Sequence, residues 1–400
     1  MTVQSMRELF RAAFGAAVRA VDPFERTRQT IPRDLGPVTV LALGKAAPSM
    51  ARGAADALGD RLLGGVVVSD HREPIPDGMS LMVGDHPFPD RGSVRAGQAL
   101  LDAATGDLLV LVSGGGSSLV EVPPPGIDIS ELASTHKALM DAGATISDLN
   151  TVRRQISMIK NGGLIRNADS VTTLVISDVI DGPADLVASG PTLADDSTSA
   201  MALEVIRKYS VRVPEPIEVW LEGGGGPARR REHHWEIVAD GTLALDAAKT
   251  FLIDSGLQVQ ELDVLRGDAE AEATDFLLAS PPGLVGVARG ETTVRVKGNG
   301  LGGRNQHAAL AAAIALHGSE GVFAAFGTDG IDGPTVAAGA IIDGGTTARI
   351  RLAGLDPVVA LANQDSHGVL VASGDAVITG PTGTNVGDIW MAWNRPKGAS

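Results

Sequence analysis

The chain has 400 residues, 44% of them hydrophobic and 20% charged, with a formal net charge of −15, the balance of water-soluble globular protein with room for two domains. The negative charge excludes the broad basic face that a nucleic-acid backbone requires, and 3% aromatic residues exclude a base-stacking platform. The lack of cysteine excludes disulfides, thiolate catalysis and thiolate zinc sites.

Near the N-terminus, Ser5 and Glu8 have capping-box spacing, and Met6, Leu9, Phe10, Ala13, Phe14, Ala17, Val18 and Val21 form one apolar helix face. Residues 1–11 lack the apolar stretch of a secretory signal, and the longest apolar run, 308–316, is too short to span a bilayer. A cytoplasmic protein with no membrane partner is expected. An α/β alternation follows. Strands are predicted over 38–43, 65–69, 81–83, 108–112 and 171–176, and helices over 46–58, 91–104, 130–142 and 147–160. Continuously apolar strands between helices imply a sheet covered on both faces. Four glycines, a proline and three arginines in 223–231 read as an exposed segment near a domain boundary.

A second alternation is expected from 235–238, 243–255, 259–264 and 269–279. It continues with a strand over 293–297, a glycine-crowded turn, and an apolar helix over 307–316. The remaining strands are placed at 322–326, 340–342, 369–372, 376–379 and 389–393.

Candidate sites fall at strand ends, where open α/β sheets place ligands. Gly44-Lys45 puts a cation after the first strand, either to meet a phosphate or as a solvated helix-terminal charge. Ser113-Gly114-Gly115-Gly116-Ser117 can form a nest of N–H groups around an anion, or a plain turn. Asp178 ends a buried strand, suited to holding Mg²⁺, to accepting a hydroxyl proton or to capping a turn. On helical spacing Arg153 and Lys160 share one face. Gly300, Gly302 and Gly303 bring backbone donors toward the helix that opens with Arg304 and Asn305, an arrangement that prepares a chain to hold phosphate or carboxylate. Asp329 and Asp332, then Thr384, Asn385 and Asp388, close further glycine-rich strand ends. His233-His234 lacks metal-ligand spacing, Ser117 has no triad partner by motif, and no Walker loop occurs. A competing reading comes from Gly298, Gly300 and Gly303, which satisfy G-x-G-x-x-G and admit an NAD(P)H-dependent reductase. Against it, 293–297 alternates apolar and charged residues, unlike a strand buried on both faces.

Over nearly its full length the chain resembles the class II glycerate kinases, whose C-terminal part is called the MOFRL domain. The motifs that carry the likeness are Leu43-Gly44-Lys45-Ala46, Ser113 to Ser117, Asn150-Thr151-Val152-Arg153, Ser177-Asp178-Val179-Ile180, Ala188-Ser189-Gly190-Pro191-Thr192, Gly290-Glu291-Thr292-Thr293-Val294, Gly302-Gly303-Arg304-Asn305-Gln306, Gly327 to Thr335 and Gly380 to Asn385. The resemblance implies two α/β domains, a Rossmann-like or flavodoxin-like parallel sheet over 1–228 and a smaller mixed α/β domain over 229–400 with the MOFRL region at about 285–395, and an active site in the cleft between them. It implies ATP- and Mg²⁺-dependent phosphorylation of D-glycerate, usually to 2-phosphoglycerate, with hydroxypyruvate reductase as the family's other label. On this pattern Lys45, Asp178 and Arg304 would be catalytic. Gly44, the Ser113 to Ser117 turn, Arg153 and Asn305 would bind substrate or phosphate, and Asp178 and Asp329 would hold the metal. Gly300, Gly302, Gly303, Asp329, Asp332, Thr384 and Asn385 would bind nucleotide or line the cleft. A homodimer is compatible with this reading. The sequence departs from the family pattern at Ile180 to Pro183, at Arg289 and over 363–367.

Overall fold

The computed structural model describes residues 1–180, 182, 184–226 and 232–395. Asp181 and Pro183, and the proline and arginines expected to mark an exposed segment in 227–231, lie outside the described residues. The chain forms two compact units, Pro23–Val238, and Met1–Asp22 together with Ala239–Ser400. Both are α/β, the first built on a parallel sheet and the second on a mixed one.

The first sheet contains β1 Val38–Leu43, β2 Leu62–Ser69, β3 Met79–Val83, β4 Gly106–Val112, β5 Ala168–Ile176 and β6 His234–Ala239, in the order β3-β2-β1-β4-β5-β6. β1 pairs in parallel with β2 on one side and β4 on the other, with Thr39 opposite Leu108 and Leu43 opposite Val112. These central strands read Val-Thr-Val-Leu-Ala-Leu and Leu-Leu-Val-Leu-Val, and all but one of these side chains are buried, because helices cover both faces. The chain adds strands outward from β1 to β3, then returns past β1 to start β4. The boundary between β1 and β4 is therefore a topological switch point, where such sheets place ligands. β6, expected to open the second alternation, instead lies beside β5 in this sheet.

The helix expected over 147–160 ends early, at Gln155. Beyond it the N–H of Met158 donates to Val122 O (2.9 Å), and Lys160 is buried against Glu121. Lys160 thus shares no helix face with Arg153. Its charge is satisfied only by leaving the helix to reach a buried carboxylate.

The second sheet has β7 Val259–Glu261, β8 Val285–Gly290, β9 Val322–Gly327, β10 Gly339–Asp343, β11 Ala376–Val377 and β12 Asp388–Trp393, in the order β11-β10-β9-β12-β8-β7. β12 runs antiparallel to both β8 and β9. Phe276, Phe323 and Trp390 meet edge to face in its core, with ring centroids 5.4–5.9 Å apart. The helix Val3–Ala20 packs on this unit: Phe14 stacks on Phe326 (4.3 Å), and Arg7 reaches Asp343 (2.6 Å) and Asp375 (2.7 Å). Its capping box is Thr2 with Ser5, one turn before the Ser5–Glu8 pair expected.

Two strand expectations fail here. Residues 369–372 lie in the helix Ser366–Ala372, with Val369 and Leu370 buried and Val371 exposed, the pattern of a helix face that a short apolar run cannot distinguish from a strand. Residues 293–297 form no strand beyond an isolated bridge at Thr293. Val296 is 73% exposed, so the alternation there reflects a surface segment rather than a pleated one.

Candidate active site

In the unit Pro23–Val238, the switch point brings three motifs together at the carboxyl ends of β1, β4 and β5. The two loops at its centre are laced by backbone and hydroxyl. The N–H of Lys45 donates to Gly114 O (2.9 Å), the N–H of Ser113 to Leu43 O (3.0 Å), and the N–H of Ala46 to Ser113 Oγ (3.1 Å). Ser113 is buried and acts as a brace. Gly44 has φ +116°, and a Cβ there would overlap Ser113, so only glycine allows this approach. The result is an exposed Lys45 side chain held on a rigid base.

Asp178 follows β5 and packs its carboxylate against Gly114, where a Cβ would collide with Oδ2. Burial raises its pKa, with the Lys45 charge opposing, so the carboxyl holds its proton more readily than a solvated aspartate. Ser117 Oγ lies 2.9 Å from Ser189 Oγ, which in turn donates to Asn150 Oδ1 (3.0 Å). Ala188 and Ser189 have φ of 52° and 59°, strained values for residues with a Cβ, of the kind that cluster at functional sites. One turn beyond Asn150 on the same helix, the Nε of Arg153 is buried without a hydrogen-bond partner. Burial lowers its pKa, against the charge of Glu121.

The charged groups around Lys45 include three that sequence reasoning missed. Asp70 and His71 follow β2 and bond each other (2.6 Å), and His86 follows β3. Burial and then the Lys45 charge lower the His86 pKa. Burial pushes Asp70 up, but its bond to His71 and the charges of His71 and Lys45 leave it lowered. Their only signal in the sequence is position: each follows a strand whose carboxyl end lies on the same edge as Lys45.

The motif residues of the second unit differ in how far they are exposed. Arg304 is held by two carboxylates: Nε and Nη2 bond Asp388 (2.6 and 2.9 Å), and Nη1 bonds Glu291 (2.8 Å). Asp388 is buried and Glu291 exposed. Burial acts to lower the Arg304 pKa, but Asp388 and Glu291 outweigh it and raise it. The loops carrying Asp329, Thr384 and Asn385 are tied together. Thr382 donates to Thr328 O (2.6 Å), the N–H of Thr382 to Asp329 O (3.0 Å), and the N–H of Gly387 to Asn385 Oδ1 (3.2 Å). Asp329 is partly buried, as is Asn385, and the Thr384 hydroxyl is buried without a partner.

Asn305 and Asp332 are internal, contrary to the expectation that they face a ligand. Asp332 accepts the N–H groups of Asn305 (3.0 Å) and Gln306 (2.8 Å), capping the helix Arg304–Ala315 with a carboxylate of the chain itself. Asn305 Oδ1 accepts from Trp390 Nε1 (2.8 Å). The glycine-rich turn is likewise filled from within. Lys297 and Gly298 donate to Gln364 Oε1, Asn299 to Asn363 Oδ1, Gly300 to Asn363 O, and Leu301 to Asp365 Oδ1. A Cβ at Gly300, Gly302 or Gly303 would overlap Asp365, Ser366 or Asp332 respectively. These glycines serve close chain packing, and all three also line a cavity of about 400 Å³ beside Arg304. A dinucleotide fingerprint needs that helix terminus open for a pyrophosphate and its flanking strands adjacent; here Asp332 occupies the terminus and β12 separates β8 from β9.

Known proteins share this architecture. Residues 9–222 match the model of a domain of unknown function, DUF4147, and residues 284–388 match the MOFRL family. A D-glycerate 2-kinase of Thermotoga maritima is 37% identical, over 96% of this chain and 98% of that protein. The chain belongs to the class II glycerate kinase (MOFRL) family. A solved glycerate kinase structure from Thermotoga maritima superposes on this family member with a TM-score of 0.90 at 35% identity, covering 98% of this chain and all of that one. An Agrobacterium vitis relative with the provisional name hydroxypyruvate reductase is 38% identical over 96% of this chain and 94% of its own length. Among the described residues the G-x-G-x-x-G stretch forms no open dinucleotide turn.

Proposed function

We propose that this chain transfers the terminal phosphoryl group of ATP to the 2-hydroxyl of D-glycerate. The observation that carries the reading is Lys45, an exposed cation at a switch point beside Asp178, whose burial makes its carboxylate a stronger base than a solvated aspartate. Phosphoryl transfer needs mainly positioning and charge stabilisation, with an ionised carboxylate placed to receive the hydroxyl proton. Lys45 neutralises the equatorial oxygens of the group in transit. Asp178 orients the attacking hydroxyl and takes its proton, a task favoured by a raised pKa. Arg153, with its unpartnered Nε, offers the planar fork that a glycerate carboxylate fits. At Arg304 only the exposed Glu291 is exchangeable, and an incoming anion replaces it while Asp388 keeps the guanidinium in place.

Asp178 also fits magnesium. The described residues gather no cluster of three or more His, Cys, Asp or Glu side chains, but magnesium bound with a nucleotide uses one or two carboxylates, the phosphates and water. When present, the ion supplies further neutralisation of the phosphate oxygens. The choice of the 2-hydroxyl rests on the relative named D-glycerate 2-kinase. The test is ADP release from ATP and magnesium, with and without D-glycerate. Release that depends on D-glycerate and stops with chelator is expected; release equal to the ATP-only background contradicts the proposal.

A further inference from the structure

The unit Pro23–Val238 buries an ion pair that the proposed chemistry leaves unused. Lys160 and Glu121 are 1% and 0% exposed and bond each other. A pair so buried gains little stability over apolar side chains of the same volume, so its value lies in what it holds. Glu121 stands just past the short helix Gly116–Leu119, which carries Ser117. Its carboxylate accepts from Lys160 Nζ, the Ser157 hydroxyl and the Val122 N–H. Lys160 Nζ also donates to Val120 O (3.3 Å), and the Val120 N–H closes that helix onto Gly116 O (3.2 Å). On the other side, the backbone that follows Lys160 grips the turn Ala188-Ser189-Gly190. The N–H of Asn161 donates to Ser189 O (3.3 Å), that of Gly162 to Gly190 O (2.8 Å) and that of Leu164 to Pro191 O (3.1 Å). All three turn residues are left-handed, with φ of 52°, 59° and 67°. Two of them carry a Cβ, a strain that persists only where the surroundings impose it. The two elements meet at the Ser117 and Ser189 hydroxyls, backed by Asn150.

We propose that Lys160 and Glu121 are positioning residues for the phosphoryl acceptor. Their pair locks the Ser117 helix and the Ser189 turn together, so that Ser117, Ser189 and the helix bearing Asn150 and Arg153 keep one geometry for a small hydroxy acid. Neither Lys160 nor Glu121 touches the acceptor. The identity of the acceptor rests on the kinase reading; the locking does not. The test uses the full chain in two variants. Glu121→Gln keeps the side-chain shape, and burial already lowers the Lys160 pKa with Glu121 opposing, so the lysine sheds its proton rather than standing as an unpaired charge. Glu121→Gln with Lys160→Met removes both charges and should unfold at nearly the wild-type urea concentration. In both, kcat/KM for D-glycerate should fall about tenfold or more, mainly through KM, with KM for ATP unchanged. Amide hydrogen exchange without substrate should quicken at Val120, Asn161 and Gly162 while β1 and β4 keep their protection. Wild-type KM for glycerate in both variants, or wild-type exchange at those amides, overturns the inference and leaves the kinase proposal standing. An equal rise in KM for ATP, or exchange quickened throughout the sheet, shows a general loss of structure and overturns it too. Absence of glycerate turnover in the unaltered chain overturns the kinase proposal, and the exchange result then still decides the locking.

Discussion

Single residues of one type differ here in what their substitution means. Lys45 is exposed and its side chain makes no salt bridge among the described residues, so Lys45→Ala should leave the melting temperature unchanged and lower kcat about a hundredfold or more, the size of a lost transition-state charge contact. Arg304→Ala would strip a buried Asp388 of its counter-charge, a loss of about 3–5 kcal/mol. Urea unfolding should show that destabilisation, and Arg304→Ala with Asp388→Asn should recover most of it without recovering turnover. Asp332 supplies a pH signature. Burial, against bonds from Gln306 and Asn305, pushes its carboxyl up to about 6. A pKa raised in the folded state means that the folded chain binds the extra proton, so this share of stability is full below about pH 4 and lost as pH rises through about 6. Unfolding measured across that window should be flatter for Asp332→Asn than for the wild type; equal slopes would contradict the assignment.

At the scale of elements, the apolar central strands and their helices were legible because a sheet buried on both faces leaves a continuous signature, as in Leu108 to Val112. The motif loops after β1, β4 and β5 were legible for the same reason: finding the strand finds its end. Where two structures satisfy one pattern the sequence misled. Val369 to Ala372 is as apolar as a strand but packs as a helix, and Lys160 continues a helical spacing that its buried partner Glu121 interrupts. The glycine turn shows a deeper limit. Its composition announces close backbone approach, but not to what, and Asn363, Gln364 and Asp365 are distant in sequence from the N–H groups they accept. Gly300→Ala and Gly302→Ala should therefore act through packing, each costing about 1–3 kcal/mol by overlap with Asp365 or Ser366, visible as a lower urea midpoint even without ligand.

For the whole molecule, chain order and structural membership diverge: the helix Val3–Ala20 belongs with the residues after 238. An amphipathic face predicts burial without naming the surface, and the partner Phe326 lies more than three hundred residues on. Phe14→Ala should cost about 3–5 kcal/mol. Hydrogen exchange should then rise in β9 and β10 while β1 and β4 keep their protection; uniform loss in both sheets would show that the units do not fold separately. With a net charge of −15 the molecule as a whole repels phosphate, so the anion contacts proposed for Lys45, Arg153 and Arg304 must act locally. The account as a whole is tested most directly by phosphorus NMR of one reaction containing ATP, magnesium, D-glycerate and the protein. Transfer to the 2-hydroxyl predicts growth of ADP together with a phosphomonoester signal split by a single proton. A signal split by two protons would move the transfer to the 3-hydroxyl, and unchanged ATP beside hydroxypyruvate-dependent NADH oxidation in a parallel tube would contradict the kinase itself.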